Sequence, residues 1–224
     1  MAGIKIDKIV RSRRRTISLQ ILPDASLVVR IPYGVTEGYV QKIVDSKAGW
    51  IERKQEFFRH HAKSHHQKQY TEGEEFMFLG RMYPLKILPG KKAIVSLGDS
   101  LCISEACLKN PAGYIAVWYR QQAKSIISER TQQIAAQFGF TYKSIKINSA
   151  STRWGSCGHI NTLNFSWRLI IAPIELVDSV ILHELVHTEI KNHSAKFYSR
   201  LRSLMPDYMQ RAKELKKHSG EYRL

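Results

Sequence analysis

Long apolar runs are missing from this chain. None approaches the roughly 18 residues of a membrane span, and runs such as Leu169 to Pro173 and Val180 to Leu182 suit a protein core. The first residues, Met-Ala-Gly-Ile-Lys, contain no apolar stretch with a cleavage site, so no secretory signal is expected. Cysteine is scarce. Cys102, Cys107 and Cys157 form no C-x-x-C pair, and an odd, sparse count fits free thiols in a reducing cytoplasm. There is no G-x-x-x-x-G-K-S/T phosphate loop, no carboxylate-rich magnesium site, no internal repeat and no low-complexity tract.

Acidic residues are also in short supply. Asp and Glu number 19 against 35 Lys and Arg, a net charge of +16 over 224 residues. Such a field attracts polyanions: nucleic acid, nucleotides or an anionic surface. The excess is largest in residues 1–70, which carry 14 basic and 6 acidic side chains. Only Arg11-Ser12-Arg13-Arg14-Arg15 is a dense cluster, readable as a solvated strand end or as a phosphate-contacting patch. Hydrophobic residues at 43% leave enough for one large core or two small ones.

Read in order, Ile4 to Val10, Thr16 to Leu22 and Leu27 to Ile31 predict a small antiparallel sheet. Thr36 can cap a helix running to about Lys68, with Val40, Ile43, Val44, Trp50, Ile51, Phe57 and Phe58 as its inner stripe. At its end His61 and His65 have i, i+4 spacing. Their polar surroundings lack a carboxylate base, which favours a solvated helix terminus over a second metal site. Phe76 to Leu79 and Tyr83 to Leu88 predict a hairpin, and further strands follow to Ile103. Pro111 suits the first turn of a long helix that Gly139 would stop. The expected class is α+β, with a β-rich region over 1–110 containing one long helix, and a helix-rich half over 111–224. In that second half, Arg153 to Asn161 reads as strand then turn and Leu163 to Ile171 as a strand. A helix opens after Ala172-Pro173 and ends at Lys191-Asn192, and two shorter ones follow.

The helix after Pro173 carries the chemistry. It contains His183-Glu184-Leu185-Val186-His187, an H-E-x-x-H motif. Residues four apart share a helix face, so two imidazoles can meet one metal ion with Glu184 beside them to handle the proton of an activated water. The setting is apolar (Val177, Val180, Ile181, Leu182, Leu185, Val186), so polar groups there need a reason. The plainer alternative is a pair of core histidines held by Glu184 or Glu189. A catalytic zinc takes about three protein ligands and leaves one position open. His193, six residues past His187, has the spacing of the extended H-E-x-x-H-x-x-G-x-x-H motif, although Ile190 stands at the glycine. Glu214 is the rival third ligand; His193 is nearer in the chain. Three histidines favour zinc over magnesium.

Further stretches carry a resemblance. Arg153-Trp154-Gly155-Ser156-Cys157, Asn164 to Ile170, Ala172-Pro173, the H-E-x-x-H, Asn192-His193-Ser194 with Phe197-Tyr198, and upstream Gly80-Arg81-Met82-Tyr83 are similar to the YgjP-like metallopeptidase family, itself related to SprT-like zinc proteases. Tyr198 departs from the tryptophan that the family often has, and Gly158-His159 shortens the turn after the cysteine. The resemblance implies a zincin-like catalytic half with His183, His187 and His193 as zinc ligands and Glu184 as catalytic base. Arg153, Tyr198 and Tyr208 are candidates to steady the developing oxyanion. Cys157 reads as a packed thiol, since only His159 could serve it as a base.

The expected function is therefore a cytoplasmic zinc hydrolase, first of all a metallopeptidase acting on protein or peptide. Two alternatives stay open. One is a metal-dependent pyrophosphohydrolase of nucleoside triphosphates, since some members of the resembling family are described as acting on uridine triphosphate. The other is a basic module that associates with nucleic acid and whose zinc is structural. An open fourth coordination position beside Glu184 argues against the second. No membrane contact is expected.

Overall fold

A computed structural model describes residues 4–22, 24–62, 68–220 and 222. The chain divides into two compact units, Met1–Gln67 and Lys68–Leu224. The architecture is α+β, as expected.

The first unit pairs β1 (Lys8–Ser12), β2 (Ser18–Ile21) and β3 (Leu27–Pro32) in the order β1-β3-β2. The sheet is mixed rather than antiparallel: β3 lies between the other two, antiparallel to β2 and parallel to β1. Two helices follow where one was expected, α1 (Glu37–Ser46) and α2 (Ala48–Ala62). Lys47 leaves helical geometry at φ −109°, ψ 12°, and its N–H turns back to the Val44 carbonyl. A small core forms from Leu27, Val29, Ile31, Val40, Val44 and Ile51. Trp50, expected in that stripe, is 38% exposed. Arg11 of the basic cluster is tied to the carbonyls of Tyr33 and Val35 and to Glu37, and Arg14 donates to Ser18. The His61 and His65 side chains lie outside the described residues.

The second unit begins with β4 (Glu75–Phe78), β5 (Arg81–Leu88), β6 (Val95–Leu97) and β7 (Leu101–Ser104), in the order β4-β5-β7-β6. A single 3-10 turn leads to α3 (Pro111–Phe138). Asn110 caps that helix by accepting the Gly113 N–H at 3.1 Å, and Gly139 ends it at φ +74°. Only glycine takes that left-handed conformation without strain. The boundary expected near residue 110 falls inside this unit. The reason is a shared core: Phe76, Phe78, Leu85, Leu101 and Ile103 of the strands bury against the same cluster as Ile115, Trp118 and Tyr119 of α3. Phe78 and Trp118 rings lie 5.2 Å apart, and the Tyr119 hydroxyl donates to the Met77 carbonyl at 2.7 Å.

Three more strands, β8 (Ser144–Asn148), β9 (Gly155–Cys157) and β10 (Thr162–Ser166), form a second sheet in the order β8-β10-β9. The strand expected to reach Ile171 stops at Ser166, and Trp167–Ile171 coil into a 3-10 turn. Leu169, Ile170 and Ile171 are buried in succession, a pattern that alternating strand faces do not produce. Backbone bonds from Leu79 and Gly80 to the carbonyls of Ile170 and Ile171 fasten this turn to the β4–β5 hairpin. It delivers α4 (Ile174–Glu189), followed by α5 (Ala195–Leu204) and α6 (Tyr208–Lys217). Arg130 of α3 grips Asp178 of α4 with two bonds, at 2.9 and 2.6 Å, which fixes the rotation of α4 in the core. Among the described residues no helix is long and apolar enough to cross a membrane.

Candidate metal centre

Helix α4 is buried almost all round, as its continuous apolar composition requires. Val177, Ile181, Leu182, Leu185 and Val186 are fully buried. Glu184 and His187 are buried among them, at a desolvation cost that no fold incurs without compensation. His183 and His187 project from one face. The helix ends at Glu189, slightly earlier than expected, and Ile190 is extended at φ −127°, ψ 101°. That conformation suits a β-branched side chain, so this turn needs no glycine. It brings His193 back to the helix.

The three Nε2 atoms converge. They lie 3.2 Å (His183–His187), 3.1 Å (His187–His193) and 3.0 Å (His183–His193) apart. Mutual hydrogen bonds cannot account for the triangle, because the other ring nitrogens restrict the tautomers. His187 Nδ1 sits 2.9 Å from the Ile190 carbonyl, which only accepts. Nδ1 therefore carries the proton, and Nε2 points a lone pair inward. A tetrahedral metal with Zn–N bonds of about 2.0–2.1 Å sets its nitrogens roughly 3.3 Å apart, close to the spacing found. The three histidines could hold one metal ion. Burial and the neighbouring imidazoles depress the basicity of His183 to a pKa of about 3, and burial lowers that of His187. Both rings are thus kept neutral, the form a metal needs.

Beneath the triangle lies Phe197 of α5, whose ring centroid is 4.4 Å from His187 and 4.9 Å from both His183 and His193. It is fully buried and limits how the imidazoles can tilt. Its position four residues after His193 on α5 was the available signal for this floor.

Glu184 stands beside the histidines. Burial pushes its carboxyl up to about 7, against the opposing pull of the Cys157 N–H and the Arg153 charge. Its Oε2 is buried without a hydrogen-bond partner. An orphaned carboxylate oxygen next to three converging ring nitrogens fits a site that would hold a metal ion and its water. Gly155 of β9 makes the placement possible, because a Cβ there would lie 2.7 Å from both Cγ and Oε1 of Glu184. The sequence singled out Gly155 only as part of a motif; that it vacates space for Glu184 depends on the β9–α4 packing.

The other candidates separate. Tyr208 lines a cavity of about 390 Å³ together with His183, Glu184, Trp154, Leu215 and Lys216. Its hydroxyl is 2.7 Å from His183 Nδ1, and burial raises its pKa to about 12. Tyr198 packs its ring 6.2 Å from that of His193 and is not part of the cavity wall. Arg153 is exposed and reaches the site through its charge on Glu184. Glu214 is exposed on α6 and stands apart from the cluster. The Cys157 thiol lies 3.6 Å from Lys191, and burial, the dominant influence, raises its pKa. This favours the packed thiol over a nucleophile.

A family model described as YgjP-like, metallopeptidase domain, matches residues 15–218. No curated protein and no solved structure matches the chain.

Proposed function

The chain belongs to the YgjP-like metallopeptidase family, and from that premise we propose that it is a zinc-dependent peptidase with Glu184 as general base. The family supports a metal-dependent hydrolase. The finer reading rests on one observation: three Nε2 atoms 3.0–3.2 Å apart beside the partnerless Glu184 Oε2. The donor set of three neutral imidazoles suits zinc.

His183, His187 and His193 would hold the ion. When bound, zinc supplies Lewis acidity, polarising the scissile carbonyl and lowering the pKa of a coordinated water from 15.7 to roughly 7. Glu184 takes the proton of the attacking water and returns it to the leaving amine. Burial makes this carboxylate more basic than an exposed one, which suits it to accept a proton. In the ligand tautomer, His183 Nδ1–H donates to the Tyr208 oxygen, which holds the ring in place. The Tyr208 proton then faces the cavity, where it can meet the developing oxyanion. β9 is an edge strand, so an extended peptide can pair along it. One of its side chains would enter the cavity walled by Trp154 and Leu215.

The test compares wild type with Glu184→Gln, both assayed for bound metal, for cleavage of unfolded protein and peptides, and for hydrolysis of nucleoside triphosphates. The variant should keep stoichiometric zinc and lose about 10²–10⁴ of peptide cleavage. It should melt no lower than wild type, because a neutral amide replaces a buried carboxylate that has one oxygen without a partner. Triphosphate hydrolysis that depends on Glu184, with no peptide cleavage in wild type, would reassign the substrate. Peptide cleavage unchanged in the variant would refute the base.

A further inference from the structure

The sheet β8-β10-β9 has two edges, and Glu184 lies beside only one of them, where Gly155 of β9 makes room for it. β8 is the opposite edge and, among the described residues, pairs only with β10, in parallel. Next to it runs a second groove of about 500 Å³, lined by Val117, Arg120, Lys124 and Ser128 of α3 and by residues 145–147 of β8. Successive strand residues point to opposite faces, so a groove that touches three in a row lies along the strand's edge. The edge of a strand presents N–H and C=O groups to a further strand.

The dimensions suit an extended peptide. Val117 to Ser128 span about 16 Å of helix at 1.5 Å per residue, which an extended chain covers in about five residues. β8 itself has five. Charge specifies the peptide. Arg120, Lys124 and Lys146 are exposed, and among the described residues no carboxylate lines the groove. Among the described residues none of the three sits in an ion pair, although Arg120 donates one bond to Ser149. Carboxylates two residues apart on a strand are about 6.7 Å apart, close to the roughly 6 Å rise from Arg120 to Lys124. The walls between the cations are aliphatic: Val117, 47% exposed, with Ile145 and Ile147. Among the described residues no aromatic ring lines the groove to stack a base, which disfavours single-stranded nucleic acid.

We propose that the β8 edge and its α3 groove dock an extended acidic peptide segment, by strand addition and by pairing its carboxylates with Arg120, Lys124 and Lys146, at a site separate from Glu184. A protein bound there would be held by one segment while another reaches the metal centre.

The full-length protein is titrated at about 0.15 M salt, where loose surface attraction is largely screened, against a fluorescein-labelled Glu-Val-Glu-Val-Glu peptide by fluorescence anisotropy. The comparison ligands are the same peptide N-methylated at alternate amides, its lysine-for-glutamate counterpart, and a short oligothymidylate. The acidic peptide should bind saturably, and Lys124→Glu with Lys146→Glu should weaken it at least about tenfold. Both lysines are exposed, so the double variant should keep its melting temperature, its metal and its cleavage of a short neutral peptide. N-methylation and lysine substitution should each abolish binding. Absence of saturable binding, binding indifferent to the charge reversal, equal binding of the N-methylated peptide, or tighter binding of the oligothymidylate through the same lysines would overturn the assignment.

Discussion

Helices α3 and α4 pack on each other, joined by Arg130 and Asp178, yet they obey different rules. α3 buries one stripe and leaves the opposite face to solvent, with Asn110 and Gly139 at its ends. Its buried polar group, Thr131, is satisfied by the Ile127 carbonyl at 2.6 Å. α4 has no comparable side-chain cap at its N-terminus and is buried on nearly every side. Its buried carboxylate keeps one oxygen without a partner. A helix whose local choices all agree specifies structure; one that conflicts with its surroundings at named positions marks a site. The proposed site's polar residues should therefore govern activity with little effect on stability, and the ends of α3 the reverse.

The largest expected effect tests the first half of that contrast. His193→Ala removes one corner of the nitrogen triangle from an exposed loop position. Metal affinity should fall by more than the roughly 10–100-fold typical of losing an outer partner, and activity should vanish with it. Equilibrium dialysis against a metal-sensitive dye measures the first. Full zinc retention would break the contrast by returning His193 to a packing role. Gly155→Ala follows. Its methyl group would occupy space 2.7 Å from the Glu184 Oε1, and a displacement of about 1 Å at a reacting group can cost 10²-fold in rate. The expected signature is a fall in kcat with metal content unchanged. A variant as active as wild type would show that Glu184 does not need its present position.

Tyr208→Phe is subtler. It deletes the hydroxyl 2.7 Å from His183 Nδ1 and leaves the ring in place. Metal affinity should drop about 10–100-fold, with the melting temperature of the metal-free protein nearly constant. If kcat falls while metal affinity holds, the hydroxyl serves the oxyanion rather than the ligand.

Much of α3 and α4 is legible in the sequence. Pro111 and Gly139 punctuate α3 by mechanisms that act within a few residues, and the i, i+4 pair of α4 follows from helical pitch alone. His193 was reachable from chain spacing, though the extended Ile190 that returns it was not. Long-range pairing was less legible. β1 lies parallel to β3 because β3 separates it from β2, and nothing local in Lys8–Ser12 encodes that neighbour. The expected boundary near residue 110 followed a change from strands to helices, whereas the actual division follows which side chains share a core. Phe76 and Trp118 lie on either side of residue 110 and in one cluster. The role of Gly155 was hidden for the same reason: its partner Glu184 is 29 residues away in the sequence and in contact only once β9 meets α4.

The smallest effect checks the other half of the contrast. Asn110→Ala removes the side chain that accepts the Gly113 N–H at the start of α3. Loss of such a cap costs about 1 kcal/mol, because one of the first four amide donors of the helix loses its partner. The site should not register the change. α3 enters the shared core through Ile115, Trp118 and Tyr119, one turn and more beyond the cap, and packing there holds the helix even when its first turn frays. Chemical denaturation should report a lower midpoint at unchanged m-value, while kcat/KM and zinc content stay at wild-type levels. A loss of activity from this substitution would mean that the start of α3 is coupled to the histidines, and that the division of labour between the two helices is false.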